Sequence, residues 1–549
     1  MRRSDFNGRS FRNQQTFYDY FDPDRVIQTW NPNNLRIDRN DNTEIDLQAL
    51  LDYQQSFGDH NLSGLLGYDQ IANDGGSIRA VRDVFYNNQL QEIDAGDASR
   101  DSNAGNETAW RLRSGFGRLA YNYQNRYLLE GNARYDGSSR FAQGNRYGFF
   151  PSFSAGWRIS EEGFLQGLDW LSDLKLRGSW GQLGNQDVGL YRYYSTIALG
   201  QSTTFGGQQV NGAAVTALAN PDISWETTEM TDLGLDAGFA DGRLTLTGDL
   251  YSKTTSGILL TLPIPAMIGR SAPTQNAGRV SNKGWETSLS WSDLAGEFSY
   301  SLGLNLSDNR NEVLDLAGTG PYVNFATVTQ EGQPINALWG WKADGLYQSQ
   351  EEVDNGPTPL NPNVSAGDIK YVDLNGDGMI NNNDETVIGD PNPHYTFGLN
   401  ASGSYHGFDA SLFVQGVAKV DAMVWLGLAE GPDWANYTTT WALDRWTPEN
   451  TDATMPRAYY QASWNAALPS SFWVQNARYA KLKNMQIGYT LPASSTGRLN
   501  VDRLRLYVTG QNLWSTTNMK INIDPEIPNG FGTYYPQTRT VSIGTSVSF

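Results

Sequence analysis

The chain has 549 residues, 39% hydrophobic and 12% aromatic, with no cysteine and a formal net charge of −19. That acidity argues against nucleic acid, whose binding rests on basic surface, and the lack of cysteine removes disulfides, thiol nucleophiles and Cys-ligated metals. Mean hydropathy is −0.51 and the longest uncharged apolar run, Ala422 to Ala429, falls far short of the ~20 residues of a membrane helix; a helical membrane protein is excluded, a β-barrel is not.

Met1-Arg2-Arg3 leads into polar sequence with no apolar signal region, so residues 1–42 read as the polar remnant of an extracellular loop. The first strand is expected near Thr43 to Tyr53. Segments with period-two alternation follow, as barrel strands require. Leu129, Gly131, Ala133 and Tyr135 oppose Glu130, Asn132, Arg134 and Asp136; Leu174, Leu176, Gly178 and Trp180 oppose Lys175, Arg177, Ser179 and Gly181. Further on, Phe298, Tyr300, Leu302, Leu304 and Leu306 oppose Ser299, Ser301, Gly303, Asn305 and Ser307. A wet lumen accepts the charged side of these strands, and a sandwich core does not. The final strand alternates Val541, Ile543, Thr545, Val547 and Phe549 against small polar residues, and its terminal Phe resembles the insertion signal of bacterial outer-membrane barrels.

Short turns are expected near 54–60, 124–126, 161–172, 240–242, 293–296, 404–407 and 490–502. Long connections fall near 69–111, 137–150, 184–228, 254–283, 308–394, 418–477 and 514–538. Short periplasmic turns alternating with long extracellular loops are the topology of an outer-membrane barrel. Seven hairpins and the terminal strand predict an all-β, transmembrane antiparallel β-barrel portion of about fifteen strands.

The segments joining these strands resemble the SusC/RagA family of TonB-dependent outer-membrane transporters. Asn220-Pro221-Asp222 with Trp225-Glu226-Thr227, Asp249 with Tyr251 and Lys253, Leu262-Pro263, Asn276-Ala277-Gly278 and Val280-Ser281-Asn282-Lys283-Gly284 with Glu286 carry the first half of the likeness. Gly340-Trp341-Lys342, Asp344-Gly345-Leu346-Tyr347, Leu482-Lys483-Asn484, Gly488-Tyr489, Leu491-Pro492, Asn512-Leu513, Asp524-Pro525-Glu526 and Tyr535-Pro536 carry the second. The resemblance implies the carboxy-terminal part, residues 43–549, of a 22-stranded barrel. The signal peptide, amino-terminal domain, TonB box and plug lie outside these residues. It also implies a SusD-like lipoprotein lid, energy from the TonB–ExbB–ExbD system, an oligosaccharide or peptide substrate, and a bacterial outer-membrane location in contact with its lipid.

The sharpest local motif is Asp373-Leu-Asn375-Gly-Asp377-Gly378-Met379-Ile380-Asn381-Asn-Asn-Asp384. Oxygen donors at positions 1, 3 and 5, the Met379 carbonyl at 7, Asn381 at 9 and Asp384 at 12 match the spacing of a calcium loop. Asp at position 12 makes it closer to dockerin-type loops than to an EF-hand. Such a Ca2+ would order the 308–394 loop and is structural; a polar turn built on Asn-Gly and Asp-Gly is the alternative. Trp225, Trp339, Trp341, Trp425, Trp434 and Trp441 fall in or beside loops, where flat apolar faces suit sugar stacking or simple packing. Glu130, Arg134, Lys175 and Arg177 face the lumen as candidate contacts to substrate or plug.

Enzymatic signals are absent: His60, His394 and His406 are scattered, with no metalloprotease, nucleophile-elbow or phosphate-loop motif. The reading is an energised importer and not an enzyme. The alternative is a calcium-ordered surface module that binds or displays glycans without transport, and a secreted glycoside hydrolase is a third class.

Overall fold

The computed structural model describes residues 1–549 apart from positions 14, 20–21, 31, 262–263, 425–442, 459–464, 466, 498–500, 522 and 527–536. Sixteen strands form one antiparallel sheet in which each pairs with its neighbour in chain order. They are β1 (Arg2–Arg12), β2 (Asn34–Phe57), β3 (His60–Asp83), β4 (Asp101–Tyr123), β5 (Tyr127–Ser138), β6 (Tyr147–Arg158), β7 (Leu171–Asn185) and β8 (Glu226–Phe239). The second half comprises β9 (Leu244–Thr261), β10 (Thr274–Ala295), β11 (Phe298–Asp315), β12 (His394–Tyr405), β13 (Phe408–Lys419), β14 (Tyr479–Thr490), β15 (Arg503–Thr517) and β16 (Thr540–Ser548). No helix of the described residues is long and apolar enough to cross a membrane.

Register turns the sequence alternation into a wall with two faces. Leu66, Gly117, Ala133 and Pro151 stand in one row across β3 to β6; Tyr68, Gly115, Tyr135 and Phe149 lie on one side of it, and Gly64, Leu119, Gly131 and Phe153 on the other. Leu66, Leu119 and Phe153 are 64%, 58% and 59% exposed, which suits lipid as their solvent. The intervening rows, such as Ser63, Ala120, Glu130, Ser154 and Ser179, face the other way.

All seven short turns fall where alternation breaks. His406 and Gly407 join β12 to β13 as a two-residue turn with both φ angles positive (47° and 86°), the type I′ arrangement that matches strand twist.

The long connections differ from expectation. The loop anticipated over 69–111 occupies only 84–100, and within that anticipated over 254–283 the strands run to Thr261 and resume at Thr274, because they continue beyond the apolar band. Outside lipid the ladder still satisfies backbone groups, but side chains no longer need to alternate. Ile71-Ala-Asn-Asp-Gly-Gly-Ser77 therefore hides a strand. For the same reason β2 starts at Asn34 rather than Thr43. Residues 2–12, expected to be loop, pair with Asn34–Glu44 as a sixteenth strand. Among the described residues nothing pairs β16 to β1, or covers the free side of β2 over Ile45–Phe57.

The described residues of the 316–393 and 420–478 connections, with Met519 and Ile521 and with Val417 and Tyr479 of the wall, build a second packed body. A four-stranded sheet (Tyr322–Asn324, Thr327–Thr329, Ala337–Trp341, Glu385–Gly389) and two small strand pairs surround a core. Trp341, Ile369, Tyr371, Ile380, Met423, Trp446, Met455 and Trp473 are buried in it.

Candidate functional site

The polar face of the wall carries Glu130, Lys175 and Arg177. Near its periplasmic end, a cavity of about 740 Å³ is lined by Gln54, Asn61, Glu130, Lys175, Arg177 and Asp232. The four lumen charges expected from sequence all lie on this face. Arg177 is the best connected: its guanidinium donates to Asp249 at 2.8 Å and Asp236 at 3.2 Å, and lies 3.6 Å from Asp232. Lys175 Nζ sits 3.5 Å from Asp236. Gly234 makes this possible, because a Cβ there would fall 2.4 Å from the Arg177 guanidinium carbon. Arg134 pairs with Asp136 at 2.9 Å and reaches toward Asp69 at 3.9 Å; Glu130 accepts from Asn132 at 2.9 Å. Alternation signalled the facing of Arg177. Its partners Asp232, Asp236 and Asp249 come from β8 and β9, and only register reveals them.

A second cluster was not foreseen. His394, at the start of β12, lies with Nδ1 2.7 Å from Asp308 and Nε2 3.1 Å from Asp390, where the large loop returns to the wall. It was read from sequence only as an isolated histidine.

The 373–384 segment folds as a compact loop. Asp373 accepts from the Gly376 and Gly378 N–H groups at 2.7 and 2.8 Å. Asn375 and Asn381 direct their amides to one Asp377 carboxylate oxygen, at 3.0 and 3.3 Å. The Met379 N–H donates to the other Asp377 oxygen at 2.9 Å, and this bond is the main reason the carboxyl sits below the usual aspartate range. Asp384, expected at the closing position, is fully buried and accepts from the Leu374 and Asn381 N–H groups at 2.9 and 2.8 Å. Among the described residues no three acidic or histidine side chains converge as a metal-binding group. Ile380 anchors the loop in the core.

Three of the loop tryptophans lie among the described residues. Trp225 lies against Phe141 and Phe150 with ring centroids at 5.3 and 5.4 Å, and its indole N–H donates to the Arg146 carbonyl. Trp341 is only 5% exposed and donates to the Asn381 carbonyl; Trp339 donates to Glu385 at 3.0 Å. Trp425, Trp434 and Trp441 lie outside the described residues, as do Leu262-Pro263 and Tyr535-Pro536.

Residues 2–513 match the family described as TonB dependent receptor-like, beta-barrel. TonB-dependent receptor P3 of Formosa agariphila is 33% identical over 529 residues, covering 91% of this chain and 52% of the relative. TonB-dependent receptor SusC of Bacteroides thetaiotaomicron is 30% identical over 487 residues, 85% of this chain and 47% of the relative. The chain thus spans about half the length of the curated relatives it matches. The solved RagAB peptide transporter superposes with a TM-score of 0.83 at 23% identity, over all of this chain and 59% of that one, and shows the shared fold.

Proposed function

The chain belongs to the TonB-dependent receptor β-barrel family, of SusC/RagA type, residing in the outer membrane, and on that premise we propose that it forms the greater part of an import wall for a bulky nutrient. That family is one of receptors and not an enzyme class. The observation that carries the reading is the two-faced wall: apolar rows exposed to lipid, and a polar face on which Arg134, Lys175 and Arg177 are held by aspartates. Such a face gives a large polar solute a hydrophilic path along which these three cations are already neutralised. Oligosaccharides or peptides are the fitting cargo. A SusD-like lipoprotein would cap the loop body, and TonB would supply energy through the rest of the receptor.

Deleting the gene and restoring it tests this. Uptake of fluorescent oligosaccharides or peptides should be lost, return with the full reading frame, and require TonB. Unchanged uptake of every cargo in the deletion strain refutes the import role.

We further propose that Asp373, Asn375, Asp377, the Met379 carbonyl and Asn381 hold a structural Ca2+. The donors are hard oxygens. The Asn375 and Asn381 side-chain oxygens accept from the Asp377 and Asn383 N–H groups, each at 2.8 Å, and each keeps a lone pair for the ion. Asp384 would act from behind, fixing the loop through its backbone bonds.

A further inference from the structure

The outer wall carries a cation on the face opposite the lumen. One row extracellular to Tyr68, Gly115, Tyr135 and Phe149 stand Gln70, Arg113, Gly137 and Tyr147. Arg113 is therefore on the lipid side, with the apolar rows directly beneath it. Its height follows from the strand. Ten residues separate it from Tyr123, which lies tilted against His60 at 4.7 Å and stacks on Tyr127 at 6.3 Å to mark the periplasmic aromatic belt. At ~3.4 Å per residue and a tilt of ~40°, ten residues rise roughly 26 Å, close to the ~25 Å apolar band of such barrels. Arg113 thus stands at the outer-leaflet boundary.

Its surroundings are built rather than incidental. Arg113 donates to the Tyr147 hydroxyl, and its guanidinium carbon lies 5.7 Å from that ring's centroid. Tyr147 is held by stacking on Tyr135, with centroids 5.0 Å apart and planes 9° apart. Tyr68 donates to Gln70 at 2.8 Å beside it. The next lipid-side cation outward, Arg111, is neutralised by Asp74 at 2.8 and 3.0 Å. Among the described residues no carboxylate pairs with Arg113. A guanidinium has five N–H donors in a planar fork; one serves Tyr147, and among the described residues no second hydrogen-bond partner is seen.

We propose that Arg113, oriented by Tyr147, binds the phosphate of an anionic outer-leaflet lipid and fixes the rotation and depth of the barrel. A guanidinium matches phosphate bidentately, whereas a neutral headgroup offers it no counter-charge.

The test uses the receptor extracted from outer membranes in mild detergent. It is titrated by native mass spectrometry with monophosphoryl lipid A, with the same lipid dephosphorylated, and with inorganic phosphate. The expected result is preferential retention of the phosphorylated lipid, weakened about tenfold in Arg113→Gln, the scale of one charge-assisted bond. Arg113→Lys, which keeps charge without the fork, should fall between. Heat-modifiable migration of each variant confirms a folded barrel. Equal retention by wild type and Arg113→Gln overturns the proposal, as does equal binding of the dephosphorylated lipid. Inorganic phosphate binding as tightly as the lipid overturns the lipid source, and a loss in Arg113→Lys as complete as in Arg113→Gln overturns the charge reading.

Discussion

The wall and the loop body are built by opposite rules within one chain. In the wall, apolar side chains such as Leu302 and Leu304 stand 45% and 39% exposed, and stability comes from the backbone ladder with lipid against one face. In the loop body, Trp473, Ile369 and Met455 are 1% exposed or less, and the packing is that of a water-soluble domain. Even the ion pairs follow this division. Arg177 is satisfied by three aspartates on an open lumen face, whereas Asp368 is fully buried and held by Arg457 from the other loop at 3.2 Å. A solvent-dependent hydrophobic rule, applied twice, accounts for both regions.

The comparison is broken most sharply by truncating the loop core. Trp473→Ala should cost about 3–5 kcal/mol. That loss should appear as protease sensitivity of 316–478, with heat-modifiable migration of the barrel unchanged. Coupled loss of both would mean that the two regions are not separate folding bodies. Next comes a pair of adjacent residues on opposite faces. Leu304→Arg should cost about 2–4 kcal/mol in folding equilibria measured in lipid, and Asn305→Arg close to none. Equal costs would dissolve the two-faced wall.

Where wall and loops meet, Glu526 accepts from Lys481 and Lys483, each at 3.0 Å. Burial alone would raise its pKa, but the two lysines outweigh that and hold the carboxyl below the usual glutamate range. A depressed folded pKa contributes stability that is present above the unfolded value of ~4.3 and lost as pH falls through the folded value. Hydrogen exchange of 518–526 should therefore be slow at neutral pH and quicken below about pH 4. No change across that range would remove Glu526 from the junction. The smallest effect is expected from calcium: chelation should speed exchange in 373–384 and leave the wall untouched, and Asp377→Asn should reproduce it. Exchange indifferent to both would remove the ion.

Legibility in the sequence divided along the same line. Period-two alternation places every turn of the wall, since each residue's facing depends only on its neighbours in the chain. It cannot place strand ends, because outside lipid nothing enforces alternation, and β1 was therefore unseen. The 373–384 loop was legible because its donors are local. The loop core was not: Trp341 packs near Tyr371 and Pro469, and Arg457 meets Asp368 across 89 residues. Such contacts leave no periodic trace. The lumen partners of Arg177 fall between these cases, with facing readable from each strand and pairing only from register.

The absence of cysteine allows a direct test of the wall through nitroxide labels placed singly at residues 115 to 122 of β4. Labels at Gly115, Gly117, Leu119 and Tyr121 should be relaxed by oxygen dissolved in the bilayer, and those at Phe116, Arg118, Ala120 and Asn122 by a water-soluble nickel chelate. An accessibility profile without this two-residue period would contradict the account of a barrel wall between lipid and water.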